Sequence, residues 1–338
     1  MSILSPLRIT VLMGGASAER DVSLASGIRI AQALSARGHI VTALDPAKGV
    51  LSQAELDELR RSNVGTEPPS LEELAGLGGG RLRDDLISMP EIRDADVVFL
   101  ALHGGQGEDG TVQALLDMAG VRYTGSGHLA SALAMDKDLS KTLFRAAGVQ
   151  TADWLMAPQP GPLVEQSLGL PVVVKPSKQG STVGLSVVRD LVDLDAAVAE
   201  AFKYDDEVMI ERFIAGRELT VGVIGDDALP VGEIKPVKEL YDYECKYTPG
   251  MAVEEFPANL SPSVTNKLQE QSLRAFRALK LRGYARVDFR LDARGECYCL
   301  EVNTLPGMTP TSLIPQAAIA AGVDFEEFCE RIVQLAIG

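Results

Sequence analysis

The chain has 338 residues, with 32 Lys and Arg against 47 Asp and Glu, which gives a formal net charge of −15. Nucleic acid and anionic membrane surfaces are bound through concentrated positive charge, so we expect neither as a partner. No apolar run approaches the roughly 20 residues that span a bilayer, and the N-terminus enters a strand without a signal-peptide pattern, so a cytoplasmic protein is expected.

The four cysteines and three histidines show neither a disulfide framework nor a zinc spacing. Cys297 and Cys299 project from the same face of one strand, where they cannot easily bridge each other. We therefore expect reduced cysteines that line a core. The histidines are scattered along the chain, so no zinc site is predicted.

Residues 1–125 are predicted to form an α/β domain that opens with a βαβ unit. Its predicted elements are a strand at 8–13, a helix at 22–36 that ends at Gly38, a strand at 40–44, surface helices and loops at 46–90, and a buried strand at 97–102. A composition change near Thr124-Gly125-Ser126 marks the first boundary.

Residues 126–217 and 218–338 are predicted to form two further α/β domains. The predicted elements are a helical stretch from 128, strands at 172–175, 185–189 and 207–211, a helix at 191–202, strands at 219–224 and 229–235, a helix at 263–280, a hairpin at 285–303 and a closing helix. The predicted class is α/β with mixed sheets.

The hairpin gathers oxygen-bearing side chains around the turn Asp292–Gly295. Both of its strands alternate apolar and polar residues, which is typical of half-buried strands. If the turn has an even number of residues, Arg286 faces Glu301, and one sheet face carries Arg286, Asp288, Glu301 and Asn303. A one-residue bulge would change this pairing.

Two carboxylates and an amide oxygen at close quarters suit Mg²⁺, which shares its ligand shell with substrate phosphates. The alternative is a solvated face on which Arg286 neutralises Glu301. The turn at Pro306-Gly307 follows directly and would present backbone N–H groups to an anion. This neighbour favours the metal interpretation.

The segment "GGQGEDG" follows a buried strand and matches GxGxxG at Gly105, Gly107 and Gly110. Glu108 and Asp109 would stand where a dinucleotide pyrophosphate approaches. An active-site loop or a tight turn therefore fits better than a dinucleotide site.

A second small-residue loop follows Lys175, where the turn 180–182 exposes N–H groups that can close over phosphates. The alternative is a hairpin tip with a solvated lysine. Glu211 and Glu218 flank an apolar segment that would otherwise be taken for a solvated linker. The segment "YDYECKY" at 241–247 groups three tyrosines with a lysine, which suggests a loop that folds over a site.

In chain order, the motifs "MGGASAERDVSLASG", "HGGQGEDG", "YTGSGHLASALAMDK", "VVVKPSKQGSTVG", "ERFIAGRELTVGV", "YDYECKY", "RVDF" and "EVNTLPGMTPTSLIP" resemble the D-alanine–D-alanine ligases of the ATP-grasp superfamily. The resemblance covers almost the whole chain, except residues 46–90. It implies a three-domain ATP-grasp fold: a substrate-binding domain at 1–125, a central domain at 126–217, and a C-terminal domain at 218–338 with the Mg²⁺ and D-alanine sites. ATP would lie between the second and third domains.

The resemblance also implies a role for each residue at a matching position. The nucleotide residues would be Lys137 and Lys175 at the phosphates, Glu211, Phe213 and Ile214 at the adenine, Glu218 at the ribose, Lys246 at the γ-phosphate, and Ser181 in the covering loop. Two Mg²⁺ (or Mn²⁺) ions would be held by Asp288, Glu301 and Asn303. The D-alanine residues would be Glu19 at the first ammonium, Ser312 at the second carboxylate, and Val22, His103 and Leu313 beside them. The catalytic residues would be Arg286 and the Gly307 N–H at the oxyanion, with Ser181, Tyr247 and Glu19 closing the loop by hydrogen bonds.

The implied activity is ATP-dependent ligation of two D-alanines through a D-alanyl phosphate, for peptidoglycan precursor synthesis, in a cytoplasmic homodimer. The resemblance departs at Thr182, where a second serine is common, and at Cys245 in the lid loop. The alternatives are D-lactate or D-serine as second substrate, a nucleotide-binding regulator without catalysis, and, from the GxGxxG match, a dehydrogenase.

Overall fold

A computed structural model describes residues 5–61, 65, 71–77, 82–237 and 250–338. The strands are β1 Arg8–Leu12, β2 Ile40–Asp45, β3 Gly49–Val50, β4 Val97–Leu100, β5 Trp154–Met156, β6 Val172–Pro176, β7 Ser186–Val188, β8 Val208–Arg212, β9 Arg217–Ile224, β10 Asp227–Ala228, β11 Gly232–Pro236, β12 Ala252–Glu255, β13 Tyr284–Leu291 and β14 Cys297–Asn303. The helices are α1 Arg20–Ala36, α2 Gln53–Leu59, α3 Leu71–Gly76, α4 Pro90–Arg93, α5 Thr111–Met118, α6 His128–Met135, α7 Lys137–Ala146, α8 Gly161–Leu168, α9 Leu194–Ala201, α10 Pro262–Ala278, α11 Leu313–Ala320 and α12 Phe325–Ile337. Short 3-10 helices span Leu86–Ser88, Gly105–Gly107 and Leu191–Asp193.

The first sheet has the strand order β3-β2-β1-β4, and β2, β1 and β4 run parallel. Helix α1 connects β1 to β2, so the predicted βαβ opening is confirmed. Strand β4 is fully buried along its length, because helices cover both faces of a parallel sheet. The edge strand β3 pairs antiparallel with β2.

The last helix, α12, packs against α1 and against β4 of the first sheet. Phe325, Phe328 and Ile332 belong to the same apolar core as the strands of the first sheet. The chain end therefore closes the N-terminal unit in space. The domain bounds at 125 and 217 remain predictions.

The other two sheets are antiparallel. The second sheet has the order β5-β8-β6-β7, and its core includes residues from α8 and α9. The third sheet has the order β12-β11-β9-β13-β14, with β10 paired to β9, and α10 packs on it. Across the described ranges, no helix has both the length and the apolar composition needed to cross a membrane.

The pairing of β13 with β14 corrects one prediction. Arg286 lies opposite Asn303, and Asp288 lies opposite Glu301, so the predicted pairing of Arg286 with Glu301 is wrong. The turn has five residues, because Leu291 pairs with Cys297. The Asp292 N–H donates to the Glu296 carbonyl across this turn at 3.0 Å.

The five-residue turn alone would reverse the face of every side chain on β14, because side chains alternate along a strand. A bulge lies between the Asp288 and Phe289 pairs and leaves Leu300 as the extra residue. The bulge reverses the face a second time. Asp288, Glu301 and Asn303 therefore share a face as predicted, whereas Cys297 and Cys299 lie buried in the core on the other side.

Two glycines join the end of the N-terminal unit to the start of β13. Gly283 has φ +73° and Gly125 has φ +84°. A Cβ added to Gly283 would lie 3.1 Å from the Gly125 Cα, which is backbone and cannot rotate away. Both the left-handed conformation and the close approach require glycine here.

We expect Gly283→Ala to destabilise the protein by about 2–4 kcal/mol, as the sum of left-handed strain and a backbone clash. Gly322→Ala is the matched control, because Gly322 has φ +80° but no atom within 4 Å of an added Cβ. The control should lose only about 1–2 kcal/mol. Urea denaturation measures both variants, and equal losses would contradict the close-packed junction.

Candidate active site

Two cavities lie where the three sheets meet. The first cavity, of about 910 Å³, contains Glu19, His103 and Ser312, and the second, of about 1040 Å³, contains Lys175, Glu211 and Glu218. The residues that line both cavities are Lys137, Gly180, Ser181, Arg286, Glu301 and Leu313. These shared residues form a common wall, so a group bound in one cavity can meet a group bound in the other.

Glu19 enters the first cavity from the start of α1. Its loop is fixed by the buried pair of Arg20 and Asp45, whose N–O distance is 2.5 Å. Arg20 also donates to the Gly15 carbonyl, and Asp45 accepts from the Gly15 N–H at 3.1 Å. This pair was not predicted from the sequence, because its partners are 25 residues apart.

The loop between β6 and β7 closes onto Glu19. The Ser181 hydroxyl donates to Glu19 Oε1 at 2.5 Å. Ser181 and Thr182 both have positive φ, at 51° and 60°, which non-glycine residues adopt only where surrounding contacts hold them. The loop thus reaches the first cavity, and its Gly180 and Ser181 also line the second.

The loop after β4 lines the first cavity with His103 and Glu108, which favours an active-site loop over a tight turn for "HGGQGEDG". His103 Nδ1 lies 2.8 Å from the Leu305 carbonyl and must donate to it, which leaves Nε2 to accept from the Ser26 hydroxyl at 3.3 Å. Burial lowers the pKa of His103, so the ring is neutral. Ser26 Oγ in turn accepts from the Met308 N–H at 3.0 Å.

Glu108 is a third carboxylate in this cavity, with Glu19 and Glu301. Burial, and then the charge of Glu19, raise the pKa of Glu108 to about 7, although N–H bonds from Gly104 and Leu305 oppose the shift. An ammonium group bound between Glu19 and Glu108 would favour ionisation of both. The first cavity therefore suits an amino group.

Ser312 precedes α11 and faces the backbone of the turn at Gly307. Its Oγ accepts from the Thr309 N–H at 2.9 Å. A Cβ added to Gly307 would lie 2.8 Å from Ser312 Oγ, so only glycine lets the two approach. The partial positive charge of a helix N-terminus favours a carboxylate here.

The face shared by β13 and β14 carries a dense network of charge-assisted bonds. Asp288 accepts from Arg286 Nη2 at 2.8 Å, from Asn303 Nδ2 at 3.0 Å and from the Thr220 hydroxyl at 2.7 Å. The Asp288 carboxylate thereby fixes the plane of the Arg286 guanidinium, which lines both cavities.

Glu301, on the same face, lies 3.2 Å from Lys137 Nζ. Lys137 also donates to the Gln179 carbonyl at 2.7 Å, so it connects the third sheet to the loop between β6 and β7. Among the described residues no group of three His, Cys, Asp or Glu side chains could hold a metal. Asp288, Glu301 and Asn303 supply two carboxylates and one amide oxygen, a donor set that fits Mg²⁺ if waters and phosphate oxygens complete its shell.

In the second cavity, Glu211 lies between two lysines. Lys175 Nζ is 2.7 Å from Glu211 Oε2, and Lys141 Nζ donates to Oε1. Burial opposes the charge of Glu211, but the two ammonium groups outweigh it and lower its pKa to about 2. Glu211 is therefore a permanent hydrogen-bond acceptor, and Lys175 has the anionic partner that its buried position requires.

Arg290 connects two further residues of the second cavity by hydrogen bonds. This guanidinium donates to the Ile214 carbonyl at 3.1 Å and to Glu218 at 3.1 Å. The Phe213 N–H donates to the Pro171 carbonyl at 3.2 Å. Phe213, Ile214 and Glu218 thus line one end of the cavity with fixed backbone groups.

The structure gathers nearly every predicted site residue at the two cavities. The remaining two, Lys246 and Tyr247, lie outside the described residues, as does Cys245. Glu108 and Leu300 line the cavities and Lys141 bonds to Glu211, although the sequence predicted no site role for these three residues. Lys141 could have been noticed, because it lies one turn after Lys137 on a helix face that also buries Phe144.

The raised pKa of Glu108 predicts a pH-dependent stability. A carboxyl group whose folded pKa exceeds its unfolded value, about 4.3, stabilises the fold below that value and loses this contribution as pH rises through about 7. We expect the unfolding free energy of the wild type to fall relative to Glu108→Gln by about 1–3 kcal/mol between pH 5 and pH 8. Urea denaturation without substrates measures it. Glu270→Gln, an exposed change on α10, should show no such trend, and a parallel profile for Glu108→Gln and wild type would contradict the assignment.

Comparison with known proteins identifies the family. The family model "D-ala D-ala ligase N-terminus" matches residues 8–126, and "D-ala D-ala ligase C-terminus" matches residues 142–334. The chain is similar to a D-alanine–D-alanine ligase of Trichlorobacter lovleyi, with 45% identity over 97% of this chain and 95% of the relative. A ligase of Geotalea uraniireducens is 43% identical over 98% of this chain and 96% of the relative.

Solved structures agree with these relatives. A D-alanine–D-alanine ligase from Bacillus anthracis complexed with ATP matches with a TM-score of 0.77 and 32% identity, over 99% of this chain and 98% of that one. The ligase from Coxiella burnetii matches with a TM-score of 0.80 and 30% identity, over 99% and 94%. The predicted ATP-grasp fold is thus confirmed, and the dehydrogenase alternative is wrong. The chain belongs to the D-alanine–D-alanine ligase family.

Proposed function

We propose that the chain joins two D-alanines in an ATP-dependent reaction through a D-alanyl phosphate, with the residues of the two cavities in the roles developed below. The observation that carries this assignment is the common wall, where Arg286, Glu301 and Lys137 line both cavities. A reaction that moves a phosphoryl group from a nucleotide to an amino acid needs such a junction. Family membership supports the overall reaction, and a relative complexed with ATP supports the nucleotide.

The first step is phosphoryl transfer across the common wall. A carboxylate oxygen of the first D-alanine attacks the γ-phosphorus of ATP, and ADP leaves. Such transfer depends mainly on positioning and charge neutralisation. Lys137 and Lys175 supply positive charge on the nucleotide side. Glu19, and Glu108 once ionised, hold the ammonium group on the amino-acid side.

In the second step the ammonium group of the second D-alanine loses one proton, the resulting amine attacks the acyl carbon, and the nitrogen loses a second proton as the amide forms. The tetrahedral oxyanion meets Arg286, whose plane Asp288 fixes, and the Gly307 N–H. A preorganised donor of this kind typically contributes about 10²–10³ in rate. Ser312 and the start of α11 hold the carboxylate of the second D-alanine. Inorganic phosphate then leaves and carries one oxygen atom from the carboxylate of the first D-alanine.

The nucleotide base would lie between Glu211 and the Phe213–Ile214 backbone. The Phe213 N–H and the Ile214 carbonyl are already bonded, so we assign the base contacts to the Phe213 carbonyl and the Ile214 N–H. Glu218, held by Arg290, would accept from the ribose hydroxyls.

Mg²⁺ would be held by Asp288, Glu301 and Asn303, and when bound it neutralises phosphate charge. Lys137 must then share Glu301 with the metal, which the exposed fraction of 28% at Glu301 allows. The roles of Lys246 at the γ-phosphate and of Tyr247 in loop closure remain proposals, as do the second Mg²⁺ and Mn²⁺ as its substitute. The homodimer, the cytoplasmic location and the part in peptidoglycan synthesis also remain proposals.

The proposal predicts ADP release that depends on D-alanine, with D-alanyl-D-alanine as product. A coupled ADP assay with mass spectrometry of the product tests it, with D-lactate and D-serine offered beside D-alanine in separate reactions. We expect the D-alanine dimer to dominate near neutral pH. ADP release without D-alanine, or a mainly mixed product, would contradict the assignment.

Glu301→Gln should lower the rate at least 100-fold, because an amide cannot neutralise cations at the common wall, and the fold should be unchanged by circular dichroism. Glu296→Gln is the matched control on the same hairpin, where the half-exposed Glu296 pairs with Lys267 at 2.8 Å. The control should retain at least half of the activity. Equal rates for the two variants would remove Glu301 from the mechanism.

A further inference from the structure

Lys141 is a lysine that the assignments above leave without a role. Lys141 lies on α7, and its side chain is completely buried. The residue lies behind the second cavity and does not line it. Burial lowers the pKa of Lys141, and the neighbouring carboxylate of Glu211 counteracts this. A buried ammonium is retained only where its partners compensate the loss of water.

Three groups hold this ammonium in one position. Lys141 Nζ donates to Glu211 Oε1 and, at 2.5 Å, to the Thr151 hydroxyl. Thr151 donates its own proton to the Cys299 carbonyl at 2.7 Å, so its lone pair must face Lys141. The Trp154 ring lies 5.1 Å from the ammonium, within range of a cation–π contact.

These bonds connect the two sheets on either side of the second cavity. Glu211 lies on β8 of the second sheet, and Cys299 lies on β14 of the third, two residues before Glu301. The chain Glu211–Lys141–Thr151–Cys299 therefore fixes the carboxylate relative to the strand of the proposed metal ligands. Lys175 takes the other oxygen of Glu211 from within the cavity.

A carboxylate has about four acceptor positions and no proton to donate when ionised. After its bonds to Lys141 and Lys175, Glu211 can still accept from a bound ligand. A purine with an exocyclic amino group at position 6 supplies a donor, whereas a 6-oxo purine would present an acceptor to this carboxylate.

We propose that Lys141 is a positioning residue for base recognition, which holds Glu211 in the orientation that accepts from the 6-amino group of adenine and rejects 6-oxo purines. This inference rests on the proposed function, because it takes the second cavity as the nucleotide site. Lys141 acts through Glu211 and touches no reacting atom.

The test compares ATP with inosine triphosphate, whose base carries a 6-oxo group in place of the amino group and a proton on N1. In Lys141→Met, we expect kcat/KM for ATP to fall at least 10-fold and kcat/KM for inosine triphosphate to change less than 3-fold. The KM for D-alanine should stay within 2-fold. An equal loss for both nucleotides would mean that Lys141 is only structural and would overturn the inference.

Lys267→Met is the matched control, because it removes a lysine from a surface ion pair of the third sheet. It should leave the nucleotide preference unchanged, and a shift equal to that of Lys141→Met would overturn the inference. If Lys141→Met does not fold, Thr151→Val removes the hydroxyl that anchors Lys141. We then expect a 2-fold to 5-fold loss of the preference for ATP, and an unchanged preference would count against the inference.

Equilibrium binding of the two nucleotides separates this inference from the proposed function. A wild-type protein that binds ATP at least 10-fold more tightly than inosine triphosphate, with a preference that Lys141→Met loses, supports the role of Glu211 and Lys141, even if it forms no D-alanyl-D-alanine. Equal binding of both nucleotides by an active ligase overturns this inference and leaves the proposed function intact.

Discussion

The bulge at Leu300 is the constraint on which the rest of the site depends. It compensates a five-residue turn, so that Glu301 and Asn303 face the same side as Asp288 while Cys299 faces the core. A shift of the β13–β14 register by one residue would bury Glu301 among apolar side chains and would remove its carboxylate from the common wall. Leu300, the extra residue of the bulge, lines the second cavity. The bulge therefore determines the position of an apolar residue of this cavity as well as that of the Glu301 carboxylate.

Ion pairs between basic and acidic side chains are the second feature of the two cavities. In a chain with a net charge of −15, the lysines and arginines at the cavities pair with carboxylates: Lys137 with Glu301, Arg286 with Asp288, and both Lys141 and Lys175 with Glu211. Each pair has one member in or beside a cavity wall and is buried or half-buried, and removal of one partner of a buried pair is costly. Bound phosphates would redistribute these pairs rather than create new ones. The site is therefore organised around charges that substrates can share.

Local sequence patterns predicted most of the fold, because strand alternation, turn residues and helix ends can each be recognised within a few neighbouring residues. The βαβ opening and the shared hairpin face follow from such patterns. The register of the hairpin could not be predicted from such patterns. An extra residue in the turn and an extra residue in the bulge leave the apolar–polar alternation within each strand unchanged. Pairs such as Arg20 with Asp45, and the return of α12 to the first sheet, depend on contacts across long sequence distances. The role of Lys141 needed the structure, since a lysine on a helix gives no sign of a partner on another sheet.

The central claim is that the γ-phosphate of ATP meets the carboxylate of the first D-alanine at the common wall. Transfer of ¹⁸O from D-alanine labelled in its carboxylate to inorganic phosphate tests this claim most directly. If a D-alanyl phosphate forms there, each turnover cleaves the bond between the acyl carbon and one labelled oxygen, and mass spectrometry of the phosphate should find one ¹⁸O from the amino acid. Inorganic phosphate free of ¹⁸O, released with D-alanyl-D-alanine from fully labelled D-alanine, would contradict the account.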